Sequence, residues 1–149
     1  MKPNNNCLIT GASRGLGAEL ATVFWNAGWN VVLVARNAER LAALVDSLPT
    51  REGQKASYIA ANLADPSMAG HIVDRTRKMV GHLDALINNA AIQGPVGPVW
   101  DNDWEAWLEA LAVDLISPIA LCREVSRWML EHGKGSLINL SGGGATGEV

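Results

Sequence analysis

The chain has 149 residues, 48% hydrophobic and 18% charged, with a formal net charge of −3. It is expected to form a single domain over residues 1–149, too apolar for a disordered chain and long enough to bury roughly 68–70% of its unfolded surface. The mild negative charge supplies no basic face, so nucleic acid is not expected as a partner. With no signal-peptide core and no apolar run of about 18 residues, no membrane association and a cytoplasmic location are expected.

Apolar runs and helical patterns alternate along the chain. Cys7–Thr10 reads as a strand and Gly15–Gly28 as a helix ending in glycine. Asn30–Ala35 is a Val-rich strand, and Asn37 can cap a helix over Ala38–Leu48 that Pro49 closes. A third strand spans Ala56–Ala61; Asp65 and Pro66 then supply an N-cap and first-turn proline for a helix to about Val80. Asp84–Asn88 is a fourth strand, and residues 91–99 form a Gly/Pro loop. Asn102 with Glu105 resembles a capping box that opens a long helix to about Glu131, bent at Pro118. Ser136–Leu140 is a fifth strand, followed by Gly142–Gly144.

Strands without polar alternation, each followed by a helix, imply a parallel sheet covered on both faces. Right-handed crossovers make the α/β doubly wound topology the leading one, here five strands in the order 3-2-1-4-5. Ligands in such sheets bind beyond the carboxyl ends of the strands. The segments there are Thr10–Gly17, Ala35-Arg36, Asn62-Leu63, Asn88–Ala91 and Ser141–Gly144.

The first of these carries glycines at 11, 15 and 17, a spacing of Gly-xxx-Gly-x-Gly with no Lys-Ser/Thr after it. A triphosphatase P-loop is thereby excluded. Gly11 suits the tight turn, Gly15 a close backbone approach to a pyrophosphate, and Gly17 the packing of helix on strand. At the end of the second strand stands Arg36, where an acidic residue would bind ribose hydroxyls, and Arg14 lies inside the glycine loop. Two guanidiniums at one corner suit a 2′-phosphate, so NADP(H) is preferred over NAD(H).

Thr10-Gly-Ala-Ser-Arg-Gly-Leu-Gly17 resembles the cofactor signature of the short-chain dehydrogenase/reductase family. Asn88-Asn-Ala-Ala91 is similar to that family's Asn-Asn-Ala-Gly motif, Asn62-Leu63 falls where Asp-Leu or Asp-Val usually touches adenine, and Leu137-Ile-Asn-Leu-Ser141 resembles the strand that delivers the active-site serine. The resemblance implies a Rossmann-like domain that covers about the first three-fifths of a usual member and is incomplete at its C-terminus. It implies cofactor contacts from Gly11, Ser13, Arg14, Gly15, Leu16, Gly17, Arg36, Asn62, Leu63, Asn89 and Ala90, and catalytic roles for Ser141 and Asp114. The implied substrate is a small carbonyl or alcohol compound, and the implied assembly a homo-oligomer.

Three departures stand out. Asp114 occupies the place of the family's asparagine, which bends the long helix and helps hold a water linked to the catalytic lysine. The usual serine pair is Ser141-Gly142, so Ser141 serves only if the loop shifts by one residue. A Tyr-x-x-x-Lys motif is absent from the 149 residues; the one tyrosine, Tyr58, has Asn62 four positions on. In the family that tyrosine moves a proton at the substrate oxygen, help worth about 10²–10⁴-fold in rate. The expectation is therefore the cofactor-binding portion of an NADP(H)-dependent oxidoreductase that does not turn over by itself. A catalytically silent dinucleotide-binding or scaffolding protein, or a non-functional truncated product, is the alternative.

No metal site is expected. His71, His82 and His132 lack ligand spacing and read as solvated or capping, and Cys7 and Cys122 as buried reduced thiols. Trp104, Trp107, Leu108, Leu111 and Leu115 recur at helical spacing and read as a packing stripe; the resemblance adds that this helix often lies at a subunit interface.

Overall fold

Runs such as Val31-Val32-Leu33-Val34 carry an apolar side chain at every position, so both faces of their strand must be covered. A computed structural model describes residues 4–142 of the chain and shows how they are. β1 (Asn6–Thr10), β2 (Asn30–Ala35), β3 (Ala56–Ala60), β4 (Ala85–Asn88) and β5 (Ser136–Asn139) form one parallel sheet in the order β3-β2-β1-β4-β5. The order and direction are those expected from the sequence. Gly143 and Gly144, expected after the fifth strand, lie outside the described residues.

Side-chain alternation sorts each strand's residues into two cores. Leu8, Val32, Val34, Ile59 and Leu86 face α3 (Met68–Val80) and α5 (Ser117–Glu131), packing with Ile72, Leu121, Val125 and Trp128. Cys7, Ile9, Val31, Leu33 and Ile87 face the other way, with Ala21 and Trp25 of α1 (Gly15–Asn26) and Leu41 of α2 (Ala38–Ser47). Burial pushes the Cys7 thiol up to about 12, so it behaves as a small apolar side chain. Cys122, expected buried, is only half-buried.

Several element ends differ from expectation. Asn37 caps α2 as foreseen, its Oδ1 accepting from Arg40 N at 2.8 Å. Asp65, expected as the cap of α3, instead accepts from Ser67 N and Oγ at 2.9 and 2.6 Å, and the helix begins at Met68 rather than Pro66. The local Asx turn takes the carboxylate that the cap would have used; the same hydrogen bonds hold its pKa below the usual range. At α4 (Trp104–Leu111) the cap is Asp103, which accepts from Glu105 N at 3.0 Å, while Asn102 donates to Gly97 O at 3.4 Å.

The expected long helix is two helices joined by a π-helical turn over Ala112–Ile116, closed by Ser117 N donating to Ala112 O. Pro118 has no N–H to give the Asp114 carbonyl, so the regular ladder fails one turn before it. The packing stripe of α4 is also largely on the surface: Trp104, Leu108, Leu111 and Leu115 are exposed and Trp107 is partly buried. Among the described residues β5 pairs with β4 alone, and it is exposed throughout.

At the amino ends of β1, β4 and β5 a polar clasp replaces apolar packing. Buried Asp84 accepts from Asn6 N at 2.8 Å and Lys134 Nζ at 2.5 Å, with His82 Nε2 3.1 Å away. Burial alone would raise the Asp84 carboxyl pKa; hydrogen bonds from Lys134 and Asn6 and the charges of His82 and Lys134 outweigh it and hold it low. His82 is thus part of a structural cluster and His71 is exposed on α3. Among the described residues no group of three or more His, Cys, Asp or Glu could hold a metal ion.

Candidate functional site

The chain leaves β1 through Gly11, whose φ of +66° is open to few residues other than glycine. A Cβ on Gly11 would stand 2.7 Å from Ala90 Cα, so β4's loop rests directly on this turn. Gly17, in the first turn of α1, is buried against Gly11 O and Asn89 Nδ2, and a Cβ there would collide with both. Gly15 differs: φ is +54° and an added Cβ would meet nothing within 4 Å. The outer side of the turn is open, while its inner side is packed tight.

Thr10 locks the two loops together. Its hydroxyl oxygen accepts from Asn89 N and Ala90 N, both at 3.0 Å, and Asn89 Nδ2 donates back to Thr10 O at 2.9 Å. This positioning role was not recognised from the sequence, where Thr10 reads as the last strand residue and the first of the glycine motif. Asn88 extends the framework outward, donating to Asn139 Oδ1 of β5 at 2.8 Å.

Above the lock, a cavity of about 390 Å³ opens at the carboxyl ends of β1, β2 and β4. Of the residues expected to touch a cofactor, Gly11, Ser13, Arg14, Arg36, Asn62, Leu63, Asn89 and Ala90 line it; Gly15, Leu16 and Gly17 do not. Ala35, Asn37, Arg40, Ala61, Ala91, Ile92 and Val113 complete the wall. Arg40 and Val113 were missed as site residues. The signal for Arg40 was present, since the Asn37 cap fixes it in the first turn of α2, beside Arg36.

α1 begins at this cavity with Arg14 at its cap and no acid in its first turn, and among the described residues no side chain caps it. Its positive end is therefore available to an anion. Arg36 makes an ion pair with Glu109 of α4 at 3.6 Å. The Asn62 side-chain oxygen accepts from Ala64 N at 3.1 Å, leaving its amide nitrogen as the group free to face a ligand.

The two expected catalytic residues are placed apart from this wall. Asp114 sits in the π-helical turn, and its Oδ1 accepts from Ile92 N at 2.9 Å, tying the turn to the loop after β4. It lines a second cavity of about 370 Å³ with Gln93, Gly94, Pro95, Val96, Trp107, Ala110 and Leu111. Ser141 lies exposed just past β5 and outside both cavities.

A parallel sheet with a glycine turn, an uncapped helix start and a cleft at its carboxyl ends defines a doubly wound α/β domain of the dinucleotide-binding type. A family model described as short chain dehydrogenase matches residues 5–148, and the chain belongs to that family. It is 39% identical over 146 residues to the short chain dehydrogenase/reductase dpmpG of Macrophomina phaseolina, covering 95% of this chain and 82% of that protein. To dpchG of Colletotrichum higginsianum, also a short chain dehydrogenase/reductase, it is 35% identical over 142 residues, covering 94% and 53%.

Among solved structures it is similar to a metagenomic short-chain oxidoreductase in complex with NADP, with a TM-score of 0.89, 30% identity and 97% and 64% of the two chains covered. An NAD+-bound xylitol dehydrogenase gives a TM-score of 0.87 at 28% identity, covering 99% and 57%. The chain spans about half the length of most curated relatives it matches. Among the described residues no helix is long and apolar enough to cross a membrane.

Proposed function

We propose that these 149 residues carry the cofactor-binding portion of an NADP(H)-dependent oxidoreductase that interconverts a small carbonyl compound and its alcohol. The observation that carries this reading is the convergence of Arg14, Arg36 and Arg40 on one cavity beside an uncapped helix start. When bound, a nicotinamide dinucleotide supplies the hydride. The chain's own residues bind and orient it. The open side of the Gly15 turn and the first amides of α1 accept a pyrophosphate, and Gly11 and Asn89 shape the turn beneath it. Arg36 with Arg14 grips a 2′-phosphate, each charge-assisted contact being worth roughly 1.5–3 kcal/mol. Leu63 and the Asn62 amide would hold an adenine, and Leu16, exposed beside the turn, would add an apolar contact.

Asp114 takes the role of positioning the loop after β4 through Ile92 N. Ser141 takes the substrate-orienting role, and a homo-oligomer is the proposed assembly. Calorimetric titration of the chain with NADPH and NADH tests the cofactor assignment. NADPH should bind more tightly, and Arg36→Asp should remove most of that preference, since it replaces a phosphate-gripping fork with a ribose-binding acid. Equal affinities in the unsubstituted chain would refute it.

A second reading, a dinucleotide-binding protein without turnover of its own, is favoured by Tyr58. The chain's one tyrosine lies in β3 with Asn62, not lysine, four residues on. Binding without consumption of NADPH in the presence of carbonyl compounds distinguishes the two. Robust turnover unaffected by Ser141→Ala and Tyr58→Phe would point to other catalytic groups.

A further inference from the structure

We propose that Glu109 is a specificity-determining residue of the cofactor cavity: it competes with a ligand's 2′-phosphate for Arg36 and so weakens the preference for phosphorylated nucleotides. The inference rests on the cofactor reading above and concerns a residue outside the cavity's glycine and arginine wall. Glu109 projects from α4, and its Oε1 lies 3.6 Å from Arg36 Nη1. Val113, four residues on in the π-helical turn that continues α4, is itself part of the cavity wall, so Glu109 stands beside the space where the phosphate would sit.

The sign of the effect follows from charge. A phosphate at Arg36 must displace the Glu109 carboxylate or share the guanidinium with it, and the two anions repel. The pair is exposed, with 61% and 48% of the two side chains accessible. Exposed pairs of this kind correspond to at most about a fivefold factor in an equilibrium. Glu109 therefore sets a modest penalty and does not close the site. A nucleotide with a free 2′-hydroxyl makes no call on Arg36 and escapes the penalty. Arg14 and Arg40, which also line the cavity, have no carboxylate within ion-pair distance among the described residues, so the competition is specific to Arg36.

The test is calorimetric titration of the whole chain with adenosine 2′,5′-bisphosphate and adenosine 5′-monophosphate, small probes that need only the adenosine end of the cavity. Four variants are compared with the unsubstituted chain: Glu109→Gln, Arg36→Ala, the two combined, and Glu105→Gln. The last removes a carboxylate one turn earlier on α4, as a control for net charge. Glu109→Gln should tighten the bisphosphate about two- to fivefold and leave the monophosphate unchanged. The gain should be absent from Glu105→Gln and vanish when Arg36 is Ala. It should also shrink as salt rises, because screening falls within about 10 Å at 0.1 M.

No gain in Glu109→Gln, an equal gain for both nucleotides, or a gain that survives Arg36→Ala would overturn the proposal while leaving the cofactor reading intact. If Arg36→Ala weakens neither probe, or neither probe binds, the cofactor reading itself fails and the role of Glu109 with it.

Discussion

Replacing Thr10 by Val tests whether the lock between the glycine turn and β4's loop is built as the geometry indicates. Thr10 is 1% exposed, and its hydroxyl oxygen takes two backbone N–H bonds, from Asn89 and Ala90 at 3.0 Å each. Valine keeps the shape and removes the acceptor, leaving both amides without their partner. A fully buried unsatisfied amide costs about 1–3 kcal/mol; Asn89 and Ala90 are half-buried, so the lower end applies to each. The sum is ~2 kcal/mol, and with a urea slope of about 2 kcal/mol/M the unfolding midpoint should fall by ~1 M. Thr10→Ser retains the acceptor and loses one methyl group, which costs about 0.8 kcal/mol. Urea unfolding followed by tryptophan fluorescence measures both. If Thr10→Val lies within ~0.5 kcal/mol of the unsubstituted chain, or Thr10→Ser is equally damaging, the hydroxyl does not hold the loops together.

Two further outcomes follow from other parts of the fold. The Asp84 carboxyl is held below its unfolded-state value near 3.8, so its stabilisation is present above that pH and is lost as pH falls through the folded-state value. Asp84→Asn should cost about 2 kcal/mol at pH 7 and make the loss of stability shallower as pH falls below that unfolded-state value; parallel pH profiles of unfolding midpoints in the two proteins would refute this. The apolar face formed by Trp104, Leu108, Leu111, Leu115 and Ile119 is exposed, and such faces drive association. Sedimentation should show concentration-dependent oligomers that Leu115→Glu and Ile119→Glu weaken, and a monodisperse monomer across a wide concentration range would contradict it.

The sheet was legible because parallel strands buried on both faces leave an unbroken apolar signature, as in Val31–Val34, and because glycines mark where the backbone must turn or touch. Helix ends were less so. Asp65 and Asn102 carry the right chemistry for caps, but a side chain that satisfies a nearer turn is lost to the helix, as Asp65 is to Ser67. The choice is settled by fractions of a turn in the preceding loop, below the resolution of a residue pattern. The stripe of α4 shows a different limit. Periodicity reports that one face is apolar, and it says nothing of whether that face meets this chain's core or is left outside it.

The site divides in the same physical way. Its floor could be read from the sequence, since Gly11 and Gly17 are required by contacts made within a few residues of β1 or through neighbouring strands. Its border along α4 could not. Glu109 is separated from Arg36 by more than seventy positions along the chain, and their meeting depends on where α4 comes to lie after a loop rich in glycine and proline. The π-helical turn then fixes that placement from the far end: it carries Val113 into the cavity wall and directs Asp114 onto Ile92 N. The sequence traces of this turn are Pro118 and the position of Asp114, which mark a bend without revealing its form. A single aspartate at position 114 thus reads from the sequence as a changed catalytic residue. In the fold, its carboxylate is engaged in holding the loop that separates the two cavities.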